Sequence, residues 1–103
     1  MLKFTKAVAE KMLGDVPQEM WFWCSDGRAL KNLPELEVAL RVMSEETFRY
    51  HSDESKSDFS NWVRDVIGDQ KLARDLRKSA TQAQTAKSVA TRIAWLRGKV
   101  AGG

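Results

Sequence analysis

Apolar residues recur at helical spacing along most of this chain, broken by short polar or aromatic stretches. Phe4, Val8 and Met12 stand at i, i+4 and i+8 with Ala9 and Leu13 beside them, while Lys3, Lys6, Glu10 and Lys11 fall elsewhere. That spacing predicts an amphipathic helix over residues 3–13. Gly14 suits the position just past its end, and Pro17 bars continuation. Met20-Trp21-Phe22-Trp23-Cys24 is a dense apolar run too short for a globular helix, and Asp26-Gly27 after it is a turn signal. The run reads as a short buried strand or as an extended segment laid across helices; periodicity does not choose between them.

Asn32-Leu33-Pro34-Glu35 marks the next helix start. Asn32 can cap, Pro34 falls in the first turn where its missing N–H costs nothing, and Glu35 can reach back to the cap. Leu36, Val38 with Ala39, Leu40 and Met43 supply its buried side. Ser44 then caps a short helix over residues 45–50, whose two leading acids suit an N-terminal dipole. Residues 52–57 are polar and aperiodic, hence a loop. Ser57 or Asp58 caps a helix with Phe59, Trp62, Val63, Val66 and Ile67 on one face; Gly68 ends it, and Asp69 opens another through Lys78 with Leu72, Ala73 and Leu76 inward.

Residues 79–85 hold no large apolar side chain, so little is expected to pack them. Beyond them Ala86, Val89, Ile93, Leu96 and Val100 repeat at alternating spacings of three and four. This heptad seam is shorter than the three or four repeats of a coiled coil. It reads as a terminal helix packed on its own domain, or as a pairing surface through which Ala86, Val89, Ile93 and Leu96 could build a dimer. Residues 101–103 are expected to fray. The fold class is therefore all-α: a small bundle of five or six short helices, with room for one tiny β-hairpin near Asp26-Gly27. Residues 1–78 form the helical domain, and residues 79–103 form a basic C-terminal helix or tail, docked or partner-binding.

Length and composition change the picture only by exclusion. A chain of 103 residues with 43% apolar content and four tryptophans can build one core without disulfides or metal. No apolar run approaches the roughly 20 residues that a membrane helix needs, and the first residues lack a signal-peptide core. The single cysteine, Cys24, has no partner for an internal disulfide, which fits the cytoplasm. Charge is uneven: residues 21–54 carry a net −3 and residues 55–103 a net +6. Asp75 is the last acid, and Arg77, Lys78, Lys87, Arg92, Arg97 and Lys99 follow it. Such a tail attracts an anionic partner or docks on the acidic middle of its own chain.

The opening Phe22-Trp23-Cys24-Ser25-Asp26-Gly27, the helix entry from Leu30 to Leu36, the pair Tyr50-His51, and Asp58-Phe59 followed by residues 61–68 form a combination more specific than any of its parts. Over about residues 22–78 the chain resembles a small prokaryotic, mainly archaeal, helical domain family of unknown function. The resemblance implies a cytoplasmic helical domain and brings no activity, cofactor or catalytic residue. The N-terminal helix and the residues after Lys78 lie outside it.

Little in the residues points to catalysis. With one His, one Cys and one Tyr, no cluster has zinc spacing and no Gly-rich phosphate loop exists. Asp53, Glu54 and Asp58 look like a calcium-loop fragment without its central Gly or terminal Glu. No metal and no cofactor are expected. Tyr50 and His51, just before the acidic loop, can bind a small ligand together with Asp58, or His51 can pin that loop to the helix starting near Asp58 through its two ring nitrogens. Cys24 reads as a buried, inert thiol. Trp21, Phe22, Trp23, Phe48, Phe59 and Trp62 read as core, centred on Trp62; in an extended segment Trp21 and Trp23 share one side and Phe22 takes the other. Trp95 lies off the heptad seam, with Arg92 at i−3 and Lys99 at i+4, so it is either a base-flanked binding aromatic or buried by a rotated helix.

The expected function is non-enzymatic: a small binding or adaptor protein whose C-terminal helix, through Lys87, Arg92, Trp95, Arg97 and Lys99, engages a larger, anionic partner. The alternatives are direct nucleic-acid binding, as a chromatin-, RNA- or ribosome-associated protein, and a ligand sensor or enzyme centred on Tyr50 and His51.

Overall fold

Side-chain caps set most of the helix boundaries in the computed structural model, which describes residues 4–102. Lys3, at the start of the expected first helix, and Gly103, at the expected frayed end, lie outside the described residues. In chain order the elements are α1 (Lys6–Leu13), β1 (Phe22–Trp23), β2 (Ala29–Leu30), α2 (Leu33–Val42), α3 (Glu45–His51), α4 (Asp58–Trp62), α5 (Gln70–Lys78) and α6 (Gln82–Gly102). The protein is a small all-α bundle with a minor hairpin. A 3₁₀ turn at Gln18–Met20 leads into β1, and a π-helical turn, Val63–Ile67, prolongs α4.

Asn32, Ser44, Ser57 and Asp69 cap α2, α3, α4 and α5, each side-chain oxygen accepting from the backbone N–H three residues on. Glu35 reaches back one residue further than a capping box does, its carboxylate accepting from the Lys31 N–H at 3.0 Å. The first helix departs from expectation. Thr5 caps it by accepting from Val8 N–H at 3.2 Å, so Phe4 stands ahead of α1 rather than within its apolar stripe. Ala9 is the fully buried residue of α1 and Val8 faces solvent. A methyl group at the contact lets α1 lie close against α6, which a Val would hold off.

The aromatic run becomes a hairpin. Phe22 pairs with Leu30 and Trp23 with Ala29, and Gly27 turns the corner at φ 96°, a left-handed conformation that glycine adopts without strain. Alternation holds: Phe22 points inward, whereas Trp21 and Trp23 share the other side with ring centroids 5.9 Å apart. Trp23 is consequently 62% exposed and does not belong to the core.

The core centres on Phe59 rather than Trp62. Phe59 is fully buried and stacks between Phe22, at 5.2 Å, and Phe48, at 5.9 Å. Trp62 meets Phe22 edge-on at the rim and donates its indole N–H to the Met20 carbonyl at 2.8 Å. Ser60, buried between α4 and α5, donates to the Ala73 carbonyl at 2.6 Å. The π turn closes where the Gly68 N–H reaches back five residues to the Val63 carbonyl at 2.8 Å, with Gly68 left-handed at φ 84°.

The C-terminal helix docks on the rest of the chain. Val89 and Leu96 are fully buried, Ala86 and Ile93 nearly so, and α6 packs against α1, α2 and α5. The seam that offers a dimer interface in sequence is covered internally by these helices. The stretch expected to be thinly packed has its own anchor: the Gln82 amide donates to the carbonyls of Leu40 and Met43, both at 2.8 Å, satisfying the open end of α2. At its far end α6 runs through Ala101 and Gly102.

Candidate functional site

Two constellations matter, one polar and buried, the other basic and open. In the first, the end of α3 places His51 against the hairpin turn and the start of α4. Its Nε2 accepts from the Ser25 backbone N–H at 2.9 Å, and its Nδ1 lies 3.0 Å from an Asp58 carboxylate oxygen. A backbone N–H can only donate, so Nε2 presents its lone pair and Nδ1–H donates to Asp58. His51 is 5% exposed, between the rings of Phe22 and Phe59. Asp58 also meets the Lys56 ammonium at 3.4 Å, and the Tyr50 ring projects outward at 64% exposure with Lys56 over it. The structure thus brings Tyr50, His51 and Asp58 together, but both imidazole nitrogens are engaged and neither is open to a ligand.

The adjoining loop is tied together by its own hydrogen bonds. The Asp53 carboxylate accepts from the Ser55 hydroxyl and N–H, each at 2.8 Å, and from the Lys56 N–H at 3.0 Å. The Ser55 hydroxyl above all, then its N–H, hold this carboxyl below the usual carboxylate range. Among the described residues no three His, Cys, Asp or Glu side chains converge as metal ligands. Burial pushes the Cys24 thiol above its ordinary value, which makes it a poor nucleophile.

The second constellation lies along α5 and α6. Asp69, at the cap of α5, is 1% exposed and receives Arg92 of α6 in a two-pronged ion pair, Nε to one oxygen at 2.7 Å and a terminal nitrogen to the other at 3.1 Å. Arg92 in turn lies 4.4 Å from the Trp95 ring and 5.3 Å from that of Phe4, and Phe4 meets Trp95 edge-on at 4.8 Å. Lys99 stands over Trp95 at 5.1 Å. Arg92 is therefore a structural cation and does not share an exposed face with Trp95 and Lys99. Trp95 is neither wholly core nor free: it is 42% exposed, with one edge packed on Phe4.

A groove runs between α5 and α6 beside this stack. Lys71 and Asp75 of α5 face Lys87, Ser88 and Thr91 of α6, with Trp95 and Arg92 at one end, around a space of about 570 Å³. It adjoins a second space of about 350 Å³ reaching Lys78 and Gln84. Lys87 and Arg97 are exposed, as the sequence leads one to expect. Lys71, Ser88 and Thr91 were missed by sequence reasoning. Nothing in their local pattern marks them, because they become neighbours only when two separate helices pack. Asp69 was legible as a cap but not as the partner of Arg92.

No protein-family model, curated protein or solved structure matches this chain, so the site rests on its own geometry.

Proposed function

We propose that the protein is a non-enzymatic binding module whose basic α5–α6 face engages a larger anionic partner. One observation carries this reading. Among the described residues, Arg74, Arg77, Lys78, Lys87, Arg97 and Lys99 of α5 and α6 have no acidic partner. The only acid within these two helices, Asp75, is held by Lys71, and Asp69 at the α5 cap is held by Arg92. Elsewhere pairing is commoner: Arg28, Arg41, Arg49, Lys56 and Arg64 each have an acid within ion-pair distance, while Lys6, Lys11 and Lys31 have none among the described residues. Unpaired bases spread along two adjoining helices keep their charge available to an outside polyanion and attract it before contact.

The alternative centred on Tyr50 and His51 has less support, since the imidazole is buried with both nitrogens engaged. A cytoplasmic location and the kinship of residues 22–78 with the prokaryotic domain family belong to the same proposal and assign no role to any residue. Among the described residues no helix is long and apolar enough to cross a membrane.

Retention on immobilised heparin tests the reading. The protein should elute well above 0.1 M salt (on the order of 0.3 M or more), because several contacts release counterions together. A variant carrying Arg74→Gln, Lys78→Gln, Lys87→Gln and Arg97→Gln should melt as the parent does and lose most of that retention. Flow-through of the parent at low salt, or equal retention of the variant, would sink the proposal.

A further inference from the structure

We infer that the α5–α6 groove holds a single-stranded nucleic acid, its phosphates on Lys71, Lys78 and Lys87 and one base against Trp95. The inference rests on the anionic-partner reading above and narrows it to one class. Three features of the groove go beyond charge. First, three lysines border one continuous groove: Lys71 and Lys87 line one space and Lys78 and Lys87 the next, and the two spaces share Asp75, Lys87 and Ser88. Asp75 opposes them only weakly, being paired with Lys71 at the surface, where such a pair is cheap to reorganise.

Second, the walls carry neutral hydroxyls. Thr91 offers an exposed hydroxyl at the level of the lysines, as a phosphate or sugar edge needs, and Ser88 adds a second hydroxyl that rests on Ser79 Oγ at 3.3 Å and would have to turn from it. Third, an exposed indole closes one end. Arg92 is locked over that ring by Asp69, whereas Lys99 has no acid to hold it among the described residues and can yield its place over the ring to a base. A positive groove that tracks a backbone beside an aromatic stacking surface is the chemistry of single-strand binding.

A duplex fits this shape less well. Reading the major groove requires a helix or ribbon that protrudes into a channel about 12 Å wide, whereas this site is the concave seam between two packed helices, whose axes lie roughly 8–10 Å apart in such contacts. Bases inside a duplex are already stacked and offer Trp95 no free face. An acidic peptide would use the lysines but gain nothing from the indole.

Fluorescence anisotropy with three labelled probes decides it: a mixed-sequence single-stranded RNA 12-mer, the same sequence as a duplex, and a 12-residue polyglutamate. At 50 mM salt the single strand should bind at least ten-fold more tightly than either of the others. Lys87→Gln should reduce the slope of log K against log salt by about 0.7, the value for one phosphate contact on a single strand. Trp95→Leu should weaken the single strand about ten-fold. Because Trp95 also packs on Phe4, Thr91→Glu serves as the second variant: it sets a carboxylate among the phosphates at an exposed position, and should cost ten-fold or more with an unchanged melt. Lys11→Gln, on α1, should change nothing. Equal binding of duplex or polyglutamate, or wild-type affinity in both Lys87→Gln and Thr91→Glu, would overturn the single-strand assignment. If heparin is retained in those cases, the broader anionic-partner reading stands; if heparin is not retained, both fall.

Discussion

Asp69 and Arg92 stand 23 residues apart in sequence and meet in a two-pronged ion pair, at 2.7 and 3.1 Å, with the carboxylate almost wholly out of water. Asp69 does two things at once: it caps α5 through the Leu72 N–H at 3.1 Å and fixes the guanidinium beside Trp95 and Phe4. One carboxylate thus couples the start of α5, the middle of α6 and the segment ahead of α1. Burying two charges is costly, and this geometry repays the cost because every carboxylate oxygen has a donor.

Removing either partner should therefore be expensive. Asp69→Ala loses the cap and leaves the guanidinium uncompensated, with an expected cost of about 3–5 kcal/mol; Arg92→Met should cost a similar amount. The double variant should cost clearly less than the two added together, with a coupling of about 1–3 kcal/mol. Urea denaturation of the four proteins measures this, and simple additivity would contradict the pairing.

The buried face of α6 makes a second prediction. Val89 and Leu96 are fully buried against a body that contains Leu36, Leu40 and Ala9, themselves without exposure. Removing residues 79–103 uncovers that surface and also frees the Leu40 and Met43 carbonyls from Gln82. The truncated chain should lose its cooperative melt, since small domains hold only about 5–15 kcal/mol of stability. A truncated protein with a sharp transition near that of the full chain would show that residues 4–78 fold alone.

His51 should behave as a structural residue. Its replacement by Ala strands the Ser25 N–H in a partly buried site and leaves the Asp58 carboxylate with Lys56 alone, with an expected loss of about 1–3 kcal/mol. Zinc should leave the melting temperature of the parent unchanged, because neither ring nitrogen is free. A rise with zinc that disappears in His51→Ala would instead reveal a ligand site there.

Cys24 supplies a pH dependence. Burial raises the thiol above its ordinary value in the folded chain, so the folded state retains the proton where the unfolded state loses it. The contribution is complete below the unfolded thiol's value and is lost as the pH climbs through the raised folded value. Stability should consequently fall through the alkaline range more steeply in the parent than in Cys24→Ala. A thiol reagent at neutral pH should react slowly with the native protein and quickly in urea; rapid native labelling would refute the buried thiol.

Local pattern alone determined most of the elements. Asn32, Ser44, Ser57 and Asp69 were readable as caps, because capping involves a side chain and a backbone only three residues away. Gly68 was readable as a terminator for the same reason, and the 3.6-residue period exposed the inward faces of α4 and α5 and the seam of α6. What tertiary packing decided has a longer reach. It set Phe59 at the centre and Trp62 at the rim, because the stacking of Phe22, Phe48 and Phe59 joins three elements. It left Trp23 outside through the pairing of a two-residue strand, withdrew Arg92 from the basic face by giving it Asp69, and brought Lys71 opposite Lys87 to make a groove. Periodicity fixes which side of a helix is apolar; the rotation and neighbours of that helix, and hence which charges meet, follow only from the packing of all the helices together.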